Sequence, residues 1–299
     1  MVSTLLIAFR WKNLVLIFIT QILLYYKFIH NTISFERQSL SLVDFLLLVF
    51  TTCIVCASGN VINDYYDYQA DRTNSLKVKS SFTRKQLITV YFLLVIVGAV
   101  FAVYLSFRYG FYNSFLLYPL TVFFLWLYSY RLKCVAILGN VLIAIFTGAV
   151  VLLVPYAYWN ELTILRMIDP AMWFQLIHAF LHLFIFTFLL NFYREIYKDI
   201  EDRTQDEMNQ CRSTAVALGV PRAKQIAIMM LLFFAIVALF YIYSLHSMNM
   251  KIVFSIFLLL PTIFLIYFSI KSSTDKEFHQ LSQYAKIMMA LGLIFVLLN

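Results

Sequence analysis

Nine apolar segments of membrane-spanning length are the feature that most restricts how this chain can fold. A helix needs roughly 20 predominantly apolar residues to cross the hydrocarbon core of a bilayer, and the first and last segments here are shorter and rely on their flanking residues. The segments are residues 13–26, 43–61, 87–107, 112–130, 136–158, 172–192, 225–245, 252–270 and 284–298. They predict an all-α integral membrane protein with nine transmembrane helices in one bundle.

The composition supports a membrane protein rather than a soluble one. Of the 299 residues, 63% are hydrophobic and only 13% are charged, whereas about a quarter of the residues of a soluble domain are charged. No linker or low-complexity segment divides the chain, and glycine and proline are sparse, at 7 and 5 residues. We therefore expect residues 1–299 to form a single domain.

The basic residues predict the orientation in the membrane. If the nine segments alternate in direction, 18 of the 23 lysines and arginines lie on the side of the N-terminus and 5 lie on the other side. Cytoplasmic loops carry such an excess of positive charge, so the N-terminus is expected to be cytosolic. The net charge of +8 is spread over loops between apolar segments, which favours membrane lipids and anionic substrates over nucleic acid as partners.

Two groups of acidic residues, residues 60–71 and 195–206, follow the second and sixth apolar segments; we call them the first and second acidic motifs. The acidic and amide residues of each share the offsets 0, 4, 7 and 11, namely Asn60, Asp64, Asp67 and Asp71, then Glu195, Asp199, Asp202 and Asp206. If each helix continues through its motif, that spacing keeps the four side chains on one face. Carboxylates at the end of a membrane helix are costly unless something positive binds them. Two motifs of this kind, both on the cytosolic side, can face one another and share metal ions.

The residue types indicate which metal and which substrate such motifs bind. Carboxylate and amide oxygens are the ligands of Mg²⁺, which shares its coordination sphere with substrate phosphates. Lysines and arginines that would hold a pyrophosphate leaving group stand beside the motifs, namely Arg72, Lys77, Arg84, Lys85, Arg194, Lys198 and Arg203. A substrate with pyrophosphate at one end and lipid at the other suits this combination. The sequence thus predicts a polyprenyl diphosphate donor and a lipophilic acceptor.

Two other interpretations compete with this one. The acidic residues can be solvated helix ends that pair with nearby lysines and arginines, but two motifs of identical spacing in a chain so poor in acid argue against it. An ion-coupled membrane transporter would also contain acidic residues. Its acids would be expected at the midplane of the membrane, whereas these lie at the ends of apolar segments.

Three ordered motifs resemble the UbiA superfamily of intramembrane prenyltransferases. Residues 63–71 have its N-D-x-x-D-x-x-x-D form, and residues 194–202, Arg-Glu-Ile-Tyr-Lys-Asp-Ile-Glu-Asp, are similar to its second aspartate motif together with Asp206. Tyr128-Ser-Tyr-Arg-Leu-Lys133, Gly139-Asn140 and Thr147-Gly148 resemble the segment that joins its fourth and fifth spans. The resemblance implies a helical bundle around a lateral, lipid-accessible cavity, cytosolic cap loops and Mg²⁺-dependent prenyl transfer.

The resemblance also implies roles for individual residues. The expected metal ligands are Asn63, Asp64, Asp67, Asp71, Asp199, Asp202 and Asp206. Four of these are expected to be catalytic, namely Asp67, Asp71, Asp202 and Asp206. The expected diphosphate-binding residues are Arg72, Lys77, Arg84, Arg131, Lys133, Arg194 and Lys198. The protein is expected in the cell (inner) membrane of a prokaryote.

The second acidic motif is most like the branch of the superfamily that includes digeranylgeranylglyceryl phosphate synthase, which implies a glycerophosphate-lipid hydroxyl as acceptor, such as that of geranylgeranylglyceryl phosphate. The chain departs from that branch at Gln205, where glycine is common. The alternative acceptor is an aromatic quinone precursor of the 4-hydroxybenzoate or naphthoate type. Against it, the loop after Asp71 lacks the Arg-Pro-x-x-x-Gly string of quinone-pathway members.

Histidines and cysteines outside the motifs are interpreted as packing residues. His178 and His182 lie four residues apart in the sixth apolar segment and are expected to bond within the helix bundle rather than to bind metal. Cys53 and Cys56 lie inside an apolar helix, where cysteine behaves as a small hydrophobic residue. With Cys134 and Cys211 they are the only cysteines, and we expect no disulfide framework.

Overall fold

The computed structural model describes residues 2–33, 40–68, 82–109, 116–245 and 247–298, and the side chains of residues 2–4 are not considered. Within these ranges the chain is almost entirely helical, which confirms the all-α prediction. The extended pairing found in the described part is one isolated parallel bridge between Val135 and Arg212. The chain divides into two compact units, which are described separately below.

The N-terminal unit comprises residues Met1–Ile22 and Ile33–Leu132. Its helices are α1 (Val2–Ala8), the first part of α2 (Trp11–His30), α3 (Leu42–Tyr66), α4 (Arg84–Arg108) and α5 (Leu117–Tyr130). Buried Val61 and Ile62 of α3 pack with Leu87 and Tyr91 of α4. The helix starts are capped as their sequences require: Ser41 accepts from the N–H of Asp44 at the start of α3, and Thr83 and Gln86 form a capping box at the start of α4.

The C-terminal unit comprises residues Leu23–Thr32 and Lys133–Asn299. Its further helices are α6 (Leu138–Ala157), α7 (Trp159–Ile168), α8 (Pro170–Glu201), α9 (Arg203–Met208), α10 (Thr214–Leu218), α11 (Val220–Ser244), α12 (Met248–Lys271) and α13 (Asp275–Leu298). Helix α8 is central to this unit, since it packs against α6, α11 and α13. Its aromatic residues Phe186, Phe192 and Tyr193 belong to the largest buried cluster of the unit.

Eight helices in the described part of the chain are long and apolar enough to cross a membrane. They correspond to eight of the nine predicted spans. The remaining span, predicted over residues 112–130, corresponds to α5, which is apolar but has only 14 described residues. Residues 112–115 lie outside the described ranges. All nine predicted spans therefore have a helix at the expected position, but the described part of α5 is shorter than a membrane span.

Helix α11 shows why these helices suit a lipid environment. Small or apolar residues on one side are fully buried, including Ala223, Ala227 and Leu231. The opposite side exposes large apolar residues such as Phe233 and Phe240. A helix that is apolar on both its packed and its exposed side is typical of a membrane span, and small residues at the packed side allow helices to approach closely.

The helices that carry the acidic motifs end earlier than the spacing argument assumed. Helix α3 ends at Tyr66, and α8 ends at Glu201 before the short helix α9 begins at Arg203. The prediction of one uninterrupted helix through the second motif is therefore wrong. Asp competes with helical hydrogen bonds through its short polar side chain, and an aspartate, Asp67 or Asp202, stands at each break.

Candidate active site

The first acidic motif lies at the C-terminal end of α3, in the N-terminal unit. Asp67 is the residue that ends the helix, and its N–H donates to the carbonyl oxygen of Asn63 over 2.9 Å. The side-chain amide of Asn63 donates back to Oδ2 of Asp67, also over 2.9 Å. Two predicted metal ligands are thus brought together with oxygens on adjacent side chains. Three predicted site residues, Asp71, Arg72 and Lys77, lie outside the described residues.

Arg10 is a neighbour of the first motif that sequence reasoning missed. Its guanidinium Nη2 lies 3.3 Å from Oδ1 of Asp64. The turn that carries it is also tied to the motif, because the side-chain amide of Asn60 donates to the carbonyl oxygen of Phe9 over 3.1 Å. The sequence does indicate that Arg10 lies on the same side of the membrane as the motif, through the predicted topology. That topology does not distinguish Arg10 from the other basic residues on the same side.

Aromatic side chains and one predicted diphosphate-binding residue flank the first motif. The guanidinium of Arg84 lies over the ring of Tyr65, 4.6 Å from its centroid. Trp126 of α5 donates to the hydroxyl of Tyr66 over 3.0 Å, and its ring stacks on that of Tyr130. Arg131 follows directly as the exposed residue that ends α5. The cation–π contact places the positive charge of Arg84 beside Tyr65 of the motif.

The second acidic motif, in the C-terminal unit, begins with a buried carboxylate between two cations. Glu195 is 5% exposed. Its Oε1 pairs with the guanidinium of Arg194, and its Oε2 lies 3.8 Å from Nζ of Lys198. The two predicted diphosphate-binding residues of this motif therefore share one counter-ion. A buried carboxylate needs such partners, and it holds both cations close to the end of α8.

Asp199 is held by protein donors. Its Oδ2 accepts from the side-chain amide of Asn140 over 2.9 Å and from the backbone N–H of Thr214 over 3.1 Å. The hydroxyl of Thr214 in turn donates to Oδ1 of Asn140. Sequence reasoning placed Asn140 in a family segment but gave neither Asn140 nor Thr214 a role at the motif.

Asp202 and Asp206 lie on either side of the break between α8 and α9. The N–H of Asp202 donates to the carbonyl oxygen of Lys198 over 2.9 Å, and that of Asp206 donates to the carbonyl oxygen of Asp202 over 3.0 Å. The chain then turns back, because the N–H of Cys211 donates to the carbonyl oxygen of Asp206 over 2.8 Å. Both carboxylates are partly exposed, so they are accessible to a ligand.

A disulfide joins the segment before α6 to the segment after the second motif. It links Cys134 to Cys211, whose Cα atoms are 4.7 Å apart, so the prediction that the cysteines form no disulfide framework is wrong. The reason is that 77 residues separate the two cysteines, and nothing in the sequence places their loops side by side. The predicted diphosphate-binding residue Lys133 directly precedes this link.

The other packing predictions agree with the structure. Cys53 and Cys56 are free, and the thiol of Cys53 points to the carbonyl oxygen of Leu14 at 3.7 Å. Nδ1 of His182 lies 2.7 Å from the carbonyl oxygen of His178, and its ring contacts that of Tyr241 on α11. These contacts lie within α8 and between α8 and α11, and the expectation that neither histidine binds metal stays a prediction.

The donor types of the two motifs fit a hard divalent cation. Every predicted metal ligand that the structure describes offers an amide or carboxylate oxygen, which is the ligand class of Mg²⁺. Among the described residues, no three His, Cys, Asp or Glu side chains form a ready-made metal cluster. Asp71, which would complete the first motif, lies outside those residues.

Comparison with known proteins decides the family. The profile described as the UbiA prenyltransferase family matches residues 34–290, which include both acidic motifs. This chain belongs to the UbiA prenyltransferase family. It is accordingly a multi-pass integral membrane protein and an enzyme that transfers prenyl groups, as the sequence predicted.

Among relatives of this UbiA-family chain is digeranylgeranylglyceryl phosphate synthase of Methanosphaera stadtmanae, which is 25% identical over 255 residues that cover 83% of this chain and 85% of the relative. A solved structure described as digeranylgeranylglyceryl phosphate synthase aligns with a TM-score of 0.67 and 24% identity over 99% of this chain and 97% of that one. A UbiA homologue from Archaeoglobus fulgidus, bound to GPP and Mg²⁺, aligns with a TM-score of 0.59 and 13% identity over 98% and 99% of the two chains. Both structural likenesses confirm the fold.

Proposed function

We propose that this enzyme transfers a polyprenyl group from a polyprenyl diphosphate to the hydroxyl of a glycerophosphate lipid, such as geranylgeranylglyceryl phosphate, in a Mg²⁺-dependent reaction that releases pyrophosphate. The observation that carries the proposal is the pair of acidic motifs, each with its third member, Asp67 or Asp202, at the end of a membrane helix and cations beside it. The family supports prenyl transfer.

The acceptor is inferred from two likenesses. The relative from Methanosphaera stadtmanae that matches over most of both chains is named digeranylgeranylglyceryl phosphate synthase. Residues 194–202, which overlap the second acidic motif, also have the form typical of that branch. Together these favour a glycerophosphate-lipid hydroxyl over an aromatic quinone precursor.

The oxygens of both motifs would hold Mg²⁺. In the first motif these oxygens belong to Asn63, Asp64, Asp67 and Asp71, of which Asp71 is assigned from the sequence motif alone. In the second motif they belong to Asp202 and Asp206, and Asp199 lies next to them. The A. fulgidus homologue bound to GPP and Mg²⁺ supports this metal. When bound, Mg²⁺ neutralises charge on a diphosphate leaving group.

The chain's own cations would bind the diphosphate oxygens. We assign this role to Arg72, Lys77, Arg84, Arg131, Lys133, Arg194 and Lys198. Arg194 and Lys198 are pre-oriented by buried Glu195, and Arg84 by the ring of Tyr65. Orienting cations before the substrate arrives reduces the cost of stabilising the charge that develops as the bond breaks.

The bond changes follow from these roles. The bond between C1 of the prenyl group and the diphosphate oxygen breaks, the acceptor oxygen bonds to C1, and the hydroxyl proton passes to a carboxylate of the motifs. That carboxylate acts as a general base, and Asp67, Asp71, Asp202 and Asp206 are the candidates. Apolar helix surfaces would keep water from the reactive C1.

We also propose that residues 1–299 form one prenyltransferase domain in the cell (inner) membrane of a prokaryote, with the N-terminus and both motifs on the cytosolic side. The family match spans both compact units, which supports a single domain. The 18-to-5 distribution of lysine and arginine supports the orientation.

Product identification tests the function. The protein in nanodiscs would be supplied with Mg²⁺, geranylgeranyl diphosphate and either geranylgeranylglyceryl phosphate or 4-hydroxybenzoate, and the lipids analysed by mass spectrometry. We expect the doubly prenylated glycerophosphate, with Asp202→Asn as the inactive control. If 4-hydroxybenzoate is prenylated instead, the acceptor is an aromatic quinone precursor and not a glycerophosphate lipid. If neither acceptor is prenylated, the proposal is contradicted.

A further inference from the structure

Asn140, Asp199 and Thr214 form a closed ring of hydrogen bonds beside the second acidic motif. The amide of Asn140 and the backbone N–H of Thr214 both donate to Oδ2 of Asp199, over 2.9 and 3.1 Å. The hydroxyl of Thr214 closes the ring by donating to Oδ1 of Asn140. That hydroxyl also accepts from the backbone N–H of Ile137 over 2.8 Å.

Two of the three side chains in the ring are buried, and every bond in it has the correct polarity. Thr214 is 0% exposed and Asn140 is 6% exposed, whereas Asp199 is half-buried. The amide group of Asn140 uses its nitrogen as donor and its oxygen as acceptor, and the Thr214 hydroxyl donates once and accepts once. Hydrogen-bond networks of this kind rigidify the chain and favour one arrangement of it.

The ring ties together the elements on both sides of the motif's last two carboxylates. Asn140 is in the first turn of α6, Asp199 is in the last turn of α8, and Thr214 begins α10. The segment that carries Asp202 and Asp206 lies between the second and third of these. The Cys134–Cys211 disulfide and the bridge between Val135 and Arg212 join the same two stretches of chain.

We propose that Asn140 and Thr214 are positioning residues, and that Asp199 is the carboxylate through which they place Asp202 and Asp206 rather than a metal ligand itself. The inference rests on the proposed function, because that function requires the second motif to bind metal. Its physical basis is that hydrogen-bonded partners behind a metal site orient the ligands that touch the metal. It also revises the expectation that Asp199 is a metal ligand.

A double variant separates the two roles of Asp199. Asn140→Ala removes two hydrogen bonds of the ring but leaves the negative charge at position 199, whereas Asp199→Asn removes that charge. If Asp199 acts only through the ring, Asp199→Asn adds little once Asn140→Ala has broken the ring. A metal-ligating role of Asp199 would add a second, independent loss.

The experiment measures the Mg²⁺ concentration for half-maximal prenyl transfer and the Tm of the metal-free protein. We expect Asp199→Asn and Asn140→Ala each to raise the Mg²⁺ requirement about 10-fold or more, the size typical for losing a partner behind a metal site, and to lower Tm. The double variant should have a Mg²⁺ requirement within about threefold of that of the more affected single variant.

A second pair of variants covers the case in which the double variant fails to fold. Thr214→Val keeps the shape of the side chain and removes its hydroxyl, so it should also raise the Mg²⁺ requirement. Thr262→Val is the matched control, because Thr262 is equally buried and its hydroxyl bonds to the carbonyl oxygen of Leu258 in its own helix. It should leave the Mg²⁺ requirement unchanged.

The other outcomes contradict either the proposal or the function on which it rests. A double variant in which the effects of Asp199→Asn and Asn140→Ala on the Mg²⁺ requirement multiply would make Asp199 a metal ligand. Single variants that lower only Tm would give the ring a purely structural role. If the parent protein shows no prenyl transfer at all, the proposed function fails, while the Tm values of the metal-free variants still report whether the ring forms.

Discussion

Asp67 and Asp202 end their helices in the same backbone conformation. Asp67 follows α3 with φ −82° and ψ 0°, and Asp202 follows α8 with φ −83° and ψ 0°. Each donates its N–H over 2.9 Å to the carbonyl oxygen four residues before it, on Asn63 and Lys198 respectively. The two acidic motifs therefore share a local structure as well as a spacing, which supports a common role.

Prenyl transfer should require a divalent cation. The described donors of both motifs are oxygens, which favour Mg²⁺, so an excess of chelator should abolish turnover. Added Mg²⁺ should restore it. The measurement is product formation in nanodiscs before chelation, after it and after Mg²⁺ addition. Undiminished turnover in excess chelator would remove the metal from the mechanism.

Both motifs should face the cytosol. The 18-to-5 distribution of basic residues predicts a cytosolic N-terminus. Reporter fusions after Arg84 and after Arg203 should both give cytosolic signals, and a fusion after Lys251 should give the opposite signal as the control. An external signal at Arg84 or Arg203 would refute the predicted topology.

The Cys134–Cys211 disulfide should stabilise the protein. Removing a disulfide costs about 2–4 kcal/mol, so Cys134→Ser should lower Tm by roughly 5–10 °C. A thiol reductant should have the same effect on the parent, while Cys53→Ala should stay sensitive to reductant because it retains the disulfide. Thiol titration of the native protein should find two free cysteines, and a count of four would contradict the link.

Ile137 should be a site of removable strain. It has a φ of 66° and a ψ of −44°, and the N–H of Leu138 donates to the carbonyl oxygen of Ala136 over 2.7 Å, which makes Ile137 the centre of a strained γ-turn. Glycine adopts positive φ at no steric cost. The side chain of Ile137 is 38% exposed, so little packing is lost on replacement. Ile137→Gly should raise Tm by about 2 °C. Ile137→Val keeps the strained backbone conformation and should not raise Tm. Equal changes in Tm for the two variants would contradict this explanation.

Much of the architecture could be predicted because it depends on local patterns. Long apolar runs predict membrane helices whatever lies next to them, and all nine predicted positions correspond to described helices. The acidic motifs were recognisable because scarce carboxylates such as Asp67 and Asp202 recur at one spacing. Packing interpretations for Cys53 and His182 also needed only their helical context.

The contacts that organise the motifs could not be predicted, because they join residues far apart in the chain. Asp64 meets Arg10 across 54 positions, and Asp199 meets Asn140 across 59. Many polar residues on the same side of the membrane satisfy the same sequence rules, so periodicity cannot select the pair. The breaks at Asp67 and Asp202 were missed for a different reason: offsets alone do not show where a helix ends.

The central claim is that both motifs act in one prenyl-transfer reaction. Asp67→Asn and Asp202→Asn each remove a charge while nearly keeping the shape of the side chain, so folding should survive. We predict that each lowers the rate of prenyl transfer about 100-fold or more.

The decisive measurement is the rate of the double variant beside the two single variants and the parent, at matched expression in nanodiscs. Residues that act as a unit have non-additive effects, so the double variant should be scarcely slower than the slower single variant. Near-parental rates for both single variants, or losses that multiply in the double variant, would contradict the account.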